Sequence, residues 1–288
     1  MTTDRGASRI AVVGAGVMGA NITAMALGYG ADVLLTDNDP DVLGTARTRI
    51  TQHLRHAGLL GALPADRKPG TLRTATEFDA RGPFDAVVEA VTELTEVKSK
   101  VLREISTRVA PGTPVITNTS GIPVDELAAD VDRPEDLIGT HFMNPTYLIR
   151  MVEVVRGART GEATLARVTA LMTALGRMPI VVGDAPGFVT SRLLHPMIND
   201  AARVVGEGTA TVEAVDSLME GCLGHPTGPL RTADLIGIDN LVDSLAALYE
   251  RTGDEGCKPC ELLLQKVREG ALGRKSGRGF YDYGKALS

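Results

Sequence analysis

The segment VVGAGVMGA, residues 12–20, constrains the fold of this chain more than any other stretch. Its glycines, Gly14, Gly16 and Gly19, directly follow a β-branched run and precede apolar residues at helical spacing. In a strand–turn–helix unit the first glycine allows a tight turn, the second lets the backbone approach a pyrophosphate, and the third lets helix and strand pack closely. The helix N-terminus then offers amides and partial positive charge to phosphates. The segment predicts a dinucleotide site made by residues 14–19, which are Gly14, Ala15, Gly16, Val17, Met18 and Gly19.

A second strand-like run, ADVLLTD at 31–37, ends at Asp37, eighteen residues after Gly19. A carboxylate at this position can bind the ribose hydroxyls of an adenosine. Asp37 and Asp39 would repel a 2′-phosphate, and the nearest arginine is as far away as Arg47. The sequence therefore favours NAD over NADP. The alternative is a glycine-rich turn that binds nothing.

Strand-like runs alternate with helical patterns as far as about Gly183. This alternation predicts an α/β fold with a Rossmann-type, doubly wound parallel sheet that helices cover on both faces. Beyond Gly183 the chain is predicted to be all helical. The sequence thus predicts an NAD-binding domain over 1–183 and a helical domain over 184–288. The further strands are expected at 84–91, 113–118, 137–142 and 177–183.

Composition excludes several classes of protein. The 288 residues carry a net charge of −6, and no basic run exceeds two residues, so we expect no nucleic-acid partner. No uncharged apolar stretch approaches 18 residues and the first residues are polar, so we expect no membrane span, no secretory signal and a cytoplasmic protein. Cys257 and Cys260 form a CxxC with no second ligand pair, which predicts a plain loop and no metal site.

The apolar stretch IGTHFMNPTYLIRMVEVV, residues 138–155, contains His141 and, twelve positions later, Glu153. A neutral imidazole can take the proton from an alcohol while its hydride leaves, and a carboxylate behind it orients the ring and stabilises the imidazolium. Alternatively, His141 merely ends a strand and Glu153 lies on a solvated edge. The spacing alone leaves both interpretations open.

The chain resembles the short-chain L-3-hydroxyacyl-CoA dehydrogenase family along nearly its whole length. The matching segments are GAGVMG at 14–19, VVEAVTELTEVK at 87–98, NTS at 118–120, HFMNP at 141–145, VEVV at 152–155, PGFVTSRLL at 186–194, GHPTGPLRTADLIGID at 224–239 and GRKSGRGFYDY at 273–283.

This resemblance implies an NAD-dependent oxidation of a 3-hydroxyacyl thioester to the 3-oxoacyl thioester. It implies that His141 is the general base and Glu153 its partner, with Ser120 and Asn144 around nicotinamide and substrate. It also implies a homodimer formed through the helical domain. Three further residues match family positions that contact the dinucleotide: Glu93, Lys98 and Lys275. Without the family, Lys98 and Lys275 would be interpreted as surface lysines.

The chain departs from the family pattern where the substrate is expected. Ser191 replaces the asparagine of the GFxxNR segment, and residues 146–149 read TYLI instead of beginning with valine, proline and methionine. His53 and Leu60 stand where the animal enzymes hold coenzyme A with a serine and a lysine, and a lost lysine is a lost partner for phosphate. We therefore consider a substrate on an acyl carrier protein, as in the family branch that oxidises glyceryl-carrier protein for polyketide extender units. Four arginines on or just after the second helix could meet an acidic carrier: Arg47, Arg49, Arg55 and Arg67.

Two other functions are weighed against this one. A dehydrogenase of a free hydroxy acid, as in the gulonate-type relatives, would need a carboxylate clamp, which Arg150 or Arg192 could supply. A non-catalytic NAD-binding structural protein, as some lens crystallins of this fold are, would have no use for the polar set around His141.

Overall fold

The computed structural model describes residues 8–64, 66–80 and 82–284. The chain divides into two compact units between Asp184 and Ala185. The first unit is built around one eight-stranded sheet, and the second is made of helices.

The sheet of the first unit has the strand order β3-β2-β1-β4-β5-β6-β7-β8. Its strands are β1 (Arg9–Val13), β2 (Asp32–Thr36), β3 (Leu72–Ala75), β4 (Ala86–Glu89), β5 (Val115–Thr117), β6 (Leu137–Phe142), β7 (Met151–Arg156) and β8 (Met178–Gly183). The helices of this unit are α1 (Val17–Gly28), α2 (Pro40–Leu59), α3 (Thr95–Arg108), the single turn α4 (Val124–Leu127) and α5 (Glu162–Ala174).

The first six strands follow the order 3-2-1-4-5-6 of the doubly wound dinucleotide-binding fold, and all of them are parallel. The predicted Rossmann-type fold is confirmed, with one correction. The sheet is not wholly parallel, because β7 runs antiparallel to β6, and β8 runs parallel to β7. Only residues 143–150 join β6 to β7. A parallel crossover needs a dozen residues or more, so this short connection reverses the chain. Strands β3 and β7 were not predicted as strands.

The helices of the first unit cover the sheet as their apolar spacing requires. From Gly19 to its end, α1 is buried on every side. In α2 only one stripe is buried, at Leu43, Ala46, Ile50 and Ala57. Asp39 caps this helix by accepting the Asp41 and Val42 amides, and Pro40 follows at the first helical position, where its fixed φ suits a helix. One face of α2 is therefore left in contact with solvent.

The second unit consists of α6 (Thr190–Gly206), α7 (Val212–Leu223), α8 (Pro229–Ile236), α9 (Ile238–Thr252) and α10 (Glu261–Arg268). Its core contains Ile198, Leu230, Leu241, Leu245 and Leu263. Buried Asp234 accepts hydrogen bonds from the Phe280 and Tyr281 amides, so the last described residues are fastened to α8. Across the described residues, no helix has both the length and the apolar character needed to cross a bilayer.

Candidate active site

The glycine-rich turn between β1 and α1 adopts a conformation that two of its glycines make possible. Gly14 has φ of +102°, a value that side chains disfavour. A Cβ at Gly19 would lie 1.8 Å from the carbonyl oxygen of Gly14, closer than atoms can approach. The first and third glycines of the motif are thus required by the turn itself.

Gly16 is different, because no contact among the described residues explains its lack of a side chain. A Cβ built on Gly16 meets no atom within 4 Å. The adjoining N-terminus of α1 has no acidic residue in its first turn and no side-chain cap. The open space and the amides at this helix end suit an anionic group that approaches the backbone closely, as a pyrophosphate does. The residues therefore fit the NAD that the motif predicts.

Asp37 lies just beyond the end of β2, beside this turn. Its Oδ2 accepts the Ala15 amide at 2.8 Å, and its Oδ1 accepts the Asp39 amide at 3.1 Å. These bonds fix the carboxylate next to the turn, and each oxygen retains a lone pair for a ribose hydroxyl. Asp37 is therefore placed as the sequence predicted.

His141 and Glu153 form a buried pair on neighbouring strands. They are directly opposite each other in the antiparallel β6–β7 register, and Nδ1 of His141 lies 2.7 Å from Oε2 of Glu153. The residues are only 6% and 7% exposed, and β7 lies between β6 and β8. The alternative in which Glu153 lies on a solvated edge is wrong. With Nδ1–H donating to the carboxylate, the neutral ring carries its acceptor lone pair on Nε2.

Ser120 lies in the turn after β5, next to the end of β6. Its amide donates to Oε1 of Glu93 at 2.7 Å. Two residues earlier, Oδ1 of Asn118 accepts the Phe142 amide at 3.3 Å, which ties this turn to the residue after His141. The carboxyl ends of β5 and β6 therefore present Ser120 and His141 at the same edge of the sheet.

Lys98 lies inside the protein. It is completely buried, and its Nζ lies 2.9 Å from Oε1 of Glu89 and 3.2 Å from Oε2 of Glu93. Burial lowers the pKa of Lys98, but the charges of Glu89 and Glu93 outweigh it, so the pKa lies above its usual value. The alternative that Lys98 is a surface lysine is wrong.

Asn144 is exposed in the loop 143–150, and the residues that follow it are firmly held. The hydroxyl of Thr146 donates to the carbonyl of Asn21 on α1 at 2.8 Å. The hydroxyl of Tyr147 lies 2.9 Å from Nδ1 of His56 on α2, and its ring lies 5.5 Å from that of His53. Burial raises the pKa of Tyr147. The departures from the family pattern at 53 and 147 thus contact each other.

The second unit contains the remaining predicted residues. Ser191 is buried in the first turn of α6. Lys275 is partly exposed, and its Nζ lies 2.6 Å from the carboxylate of Asp239. His195 is also buried there, with its Nδ1 2.8 Å from the Ser244 hydroxyl, and was not assigned to catalysis.

Sequence reasoning missed two groups of residues near this site. Glu89 and Thr119 were not identified, although Glu89 is the one carboxylate inside the apolar run AVVEAV, residues 86–91, which is itself a signal of a buried partner. The contact of Tyr147 with His56 joins residues 91 positions apart, and no local pattern indicates it.

Comparisons with known proteins agree with this geometry. Residues 9–185 match the model of the 3-hydroxyacyl-CoA dehydrogenase NAD-binding domain, and residues 187–283 match the model of the C-terminal domain of that family. The chain is 38% identical over 278 residues to a probable 3-hydroxybutyryl-CoA dehydrogenase of Deinococcus radiodurans, covering 96% of this chain and 100% of that protein.

Two crystal structures of related proteins are also similar to this chain over nearly its whole length. FadB2 of M. tuberculosis is similar with a TM-score of 0.91 and 36% identity, over 97% of this chain and 100% of that one. The (S)-3-hydroxybutyryl-CoA dehydrogenase PaaH1 of Ralstonia eutropha is similar with a TM-score of 0.86 and 35% identity, over the same shares. The chain therefore belongs to the 3-hydroxyacyl-CoA dehydrogenase family, and it is an NAD-dependent oxidoreductase that acts on a CH–OH group.

Proposed function

We propose that the protein reversibly oxidises a short 3-hydroxyacyl thioester to the 3-oxoacyl thioester, with His141 and Glu153 as a general-base dyad. The observation that carries this proposal is the buried pair with 2.7 Å between Nδ1 and Oε2, at the edge of the sheet that also bears the glycine turn. A non-catalytic protein gains little from a buried histidine–glutamate pair of this kind, because burial costs the solvation of both polar groups.

In the proposed mechanism, Nε2 of His141 takes the proton of the 3-hydroxyl group. The O–H electrons form the carbonyl bond as the C3–H bond breaks with its electron pair. Bound NAD supplies the hydride acceptor. Glu153 stabilises the imidazolium that results and keeps the ring in its tautomer. The hydroxyl of Ser120 donates a hydrogen bond to the reacting oxygen, and the amide of Asn144 holds the substrate carbonyl or the histidine in register.

For the tether we propose coenzyme A first, because the relatives described above are named as dehydrogenases of 3-hydroxybutyryl-CoA. Their similarity extends over the full length of both chains. In this proposal the first unit binds NAD, and the helical second unit contributes Ser191 to the substrate and Lys275 to the cofactor.

A carrier-protein thioester, including a glyceryl group, is the second candidate. It is supported by His53, which packs on Tyr147, and by Leu60, which is 54% exposed with no charge to offer a nucleotide. Two of the four arginines contribute less than the sequence suggested. Arg47 donates to the hydroxyl of Thr74 and Arg67 donates to two backbone carbonyls, which leaves Arg49 and Arg55 as the exposed pair on α2.

We also propose that the helical unit forms a homodimer. The resemblance to the family implies this dimer, and four leucines of the unit are more than half exposed, which makes them candidate contacts between protomers. They are Leu193, Leu218, Leu223 and Leu235. Light scattering of the purified protein and of a Leu193→Glu/Leu223→Glu variant tests this, because a monomer in both cases contradicts the proposal.

The experiment that tests the function follows NADH absorbance with purified protein and three matched substrates. These are acetoacetyl-CoA, an acetoacetyl or a glyceryl group on a carrier protein, and free 3-hydroxybutyrate. Turnover of the coenzyme A substrate supports the first candidate. Turnover only on the carrier, reduced in an Arg49→Ala/Arg55→Ala variant, supports the second. Turnover of the free acid would indicate a hydroxy-acid dehydrogenase, and binding of NAD with no turnover would indicate a structural protein.

A further inference from the structure

The buried cation of α3 is held by acceptors of the protein itself. Lys98 is fully buried, and its ammonium group has three N–H donors. Three acceptors surround Nζ: Oε1 of Glu89 at 2.9 Å, Oε2 of Glu93 at 3.2 Å and the carbonyl of Val91 at 3.4 Å. Each donor thus has an acceptor inside the protein, and these contacts fix the position of the ammonium group.

Glu89 is the inner member of this arrangement. It ends β4, lies opposite Thr117 in the β4–β5 register, and is completely buried. Its Oε1 accepts the Val91 amide at 2.8 Å in addition to Lys98, and its Oε2 accepts the Thr117 hydroxyl at 2.7 Å. A buried carboxylate with every oxygen satisfied is fixed in place, because any movement would leave polar atoms without partners.

Glu93 is the outer member and connects the buried charges to the turn that bears Ser120. Its side chain is 42% exposed. Its Oε1 accepts the Ser120 amide at 2.7 Å and the Thr119 hydroxyl at 2.5 Å. The same Thr119 oxygen accepts the amides of Gly121 and Ile122, at 3.3 Å and 2.9 Å. One carboxylate therefore holds the backbone on both sides of Ser120.

We propose that Glu89 and Lys98 are positioning residues that act through Glu93 and Thr119 to hold Ser120 in the orientation required for hydride transfer. These four residues are called the lysine network below. The inference rests on the proposed function only in assigning Ser120 to the reacting oxygen.

Electrostatics explains why the arrangement has two carboxylates and one lysine. A single buried ion pair would fix only one partner, and a lone Glu93 at the surface would be held weakly because exposed ion pairs contribute little. Anchoring Lys98 on Glu89 gives Glu93 a cation that cannot turn towards solvent. The charges of Glu89 and Glu93 keep Lys98 protonated in spite of its burial.

The test compares the double variant Glu89→Gln/Lys98→Met with the wild type. The double variant neutralises both buried members together, which avoids leaving an unpaired buried charge that could unfold the protein. Lys100→Met, two residues away on the exposed face of α3, is the matched control. For each protein we measure the affinity and stoichiometry for NAD, kcat per NAD site, the isotope effect with a 3-deuterated substrate, and amide hydrogen exchange over residues 117–122.

We expect the double variant to turn over more slowly even at saturating NAD. Its kcat per NAD site should fall about tenfold to a hundredfold, since a displacement of about 1 Å at a reacting group can cost that much. The isotope effect should increase, because hydride transfer becomes slower relative to the other steps. The Ser120 amide should exchange faster, and Lys100→Met should match the wild type in all four measurements.

Two results would overturn the inference. A loss of NAD affinity with kcat per NAD site unchanged would show that the network serves cofactor binding and does not orient Ser120. Unchanged exchange at Ser120 would show that the network does not hold it. Hydrogen exchange requires no substrate, so it decides the positioning role even if the wild type fails to oxidise any thioester, which would refute the proposed function separately.

Discussion

The two sides of the candidate site are held in different ways. His141 and Glu153 face each other across adjacent strands, and one hydrogen bond completes a geometry that the β6–β7 register already provides. Ser120 lies in a turn, where no strand pairing fixes it, and the lysine network supplies the constraint instead. Backbone pairing thus positions a residue of the site with little help from other side chains. A residue in a turn needs several buried partners to hold it.

The largest expected effect tests the strand side directly. His141→Ala should lower kcat by about 10²–10⁴-fold, because a positioned general base commonly contributes that much. NAD affinity should not change. His225→Ala, in a turn of the second unit, is the matched control and should keep full activity. Steady-state NADH absorbance measures both, and near-normal turnover of His141→Ala would refute its assignment.

Glu153→Gln should have the next largest effect and sharpens the contrast with the lysine network. We expect kcat to fall about tenfold to a hundredfold, because the neutral side chain no longer stabilises the imidazolium. The free energy of unfolding from urea titration should stay within about 1 kcal/mol of the wild-type value, since the strands hold His141 in place and the amide oxygen can still accept from Nδ1. A large loss of stability would contradict the view that backbone register places the pair.

Two glycines of the turn provide a third test of backbone placement. Gly19→Ala should destabilise the fold by about 1–3 kcal/mol, because its Cβ would lie 1.8 Å from the Gly14 oxygen. Gly16→Ala meets no protein atom and should leave stability unchanged. It should weaken NAD binding about tenfold, because the added methyl group occupies the space that the phosphates approach. Equal NAD affinity in Gly16→Ala and the wild type would argue against a pyrophosphate at this turn.

The smallest expected effect concerns the α2 side of the loop 143–150. Burial lowers the pKa of His53 from 6.5, and the neighbouring Arg49 and His56 lower it further. Below about pH 6.5 the unfolded chain therefore binds more protons at this position than the folded one, so stability is lost as the pH falls from 7. His53→Gln should reduce the slope of the unfolding free energy plotted against pH between pH 7 and pH 5. An identical slope in both proteins would contradict this.

The sequence predicted the features that depend on neighbouring residues. The glycine turn, Asp37 after β2, and the cap of α2 at Asp39 each lie within one strand–turn–helix unit, where local spacing is enough. The expectation of a wholly parallel sheet was wrong. The alternation of strands and helices suggests parallel pairing, whereas the short 143–150 connection makes the unpredicted strand β7 antiparallel to β6.

The burial of Lys98 could not be predicted from the same kind of pattern. A lysine in a charged helix such as TEVKSKVLREISTR normally faces solvent. What places Lys98 inside is Glu89, at the end of a strand nine residues earlier, and this partnership appears only when β4 and α3 are packed together. Residue spacing along the sequence does not predict nonlocal charge pairs of this kind, even when each of the two residues is noticed.

The hairpin of β6 and β7 also has a consequence for protein engineering. Because the strand register fixes the distance between His141 and Glu153, the connecting residues are not needed to maintain it. Thr146 and Tyr147 are anchored to α1 and α2, but Leu148 and Ile149 are 41% and 38% exposed. Under the proposed function, a library randomised at these two positions therefore tests whether this loop sets the acyl preference while the His141–Glu153 pair stays intact.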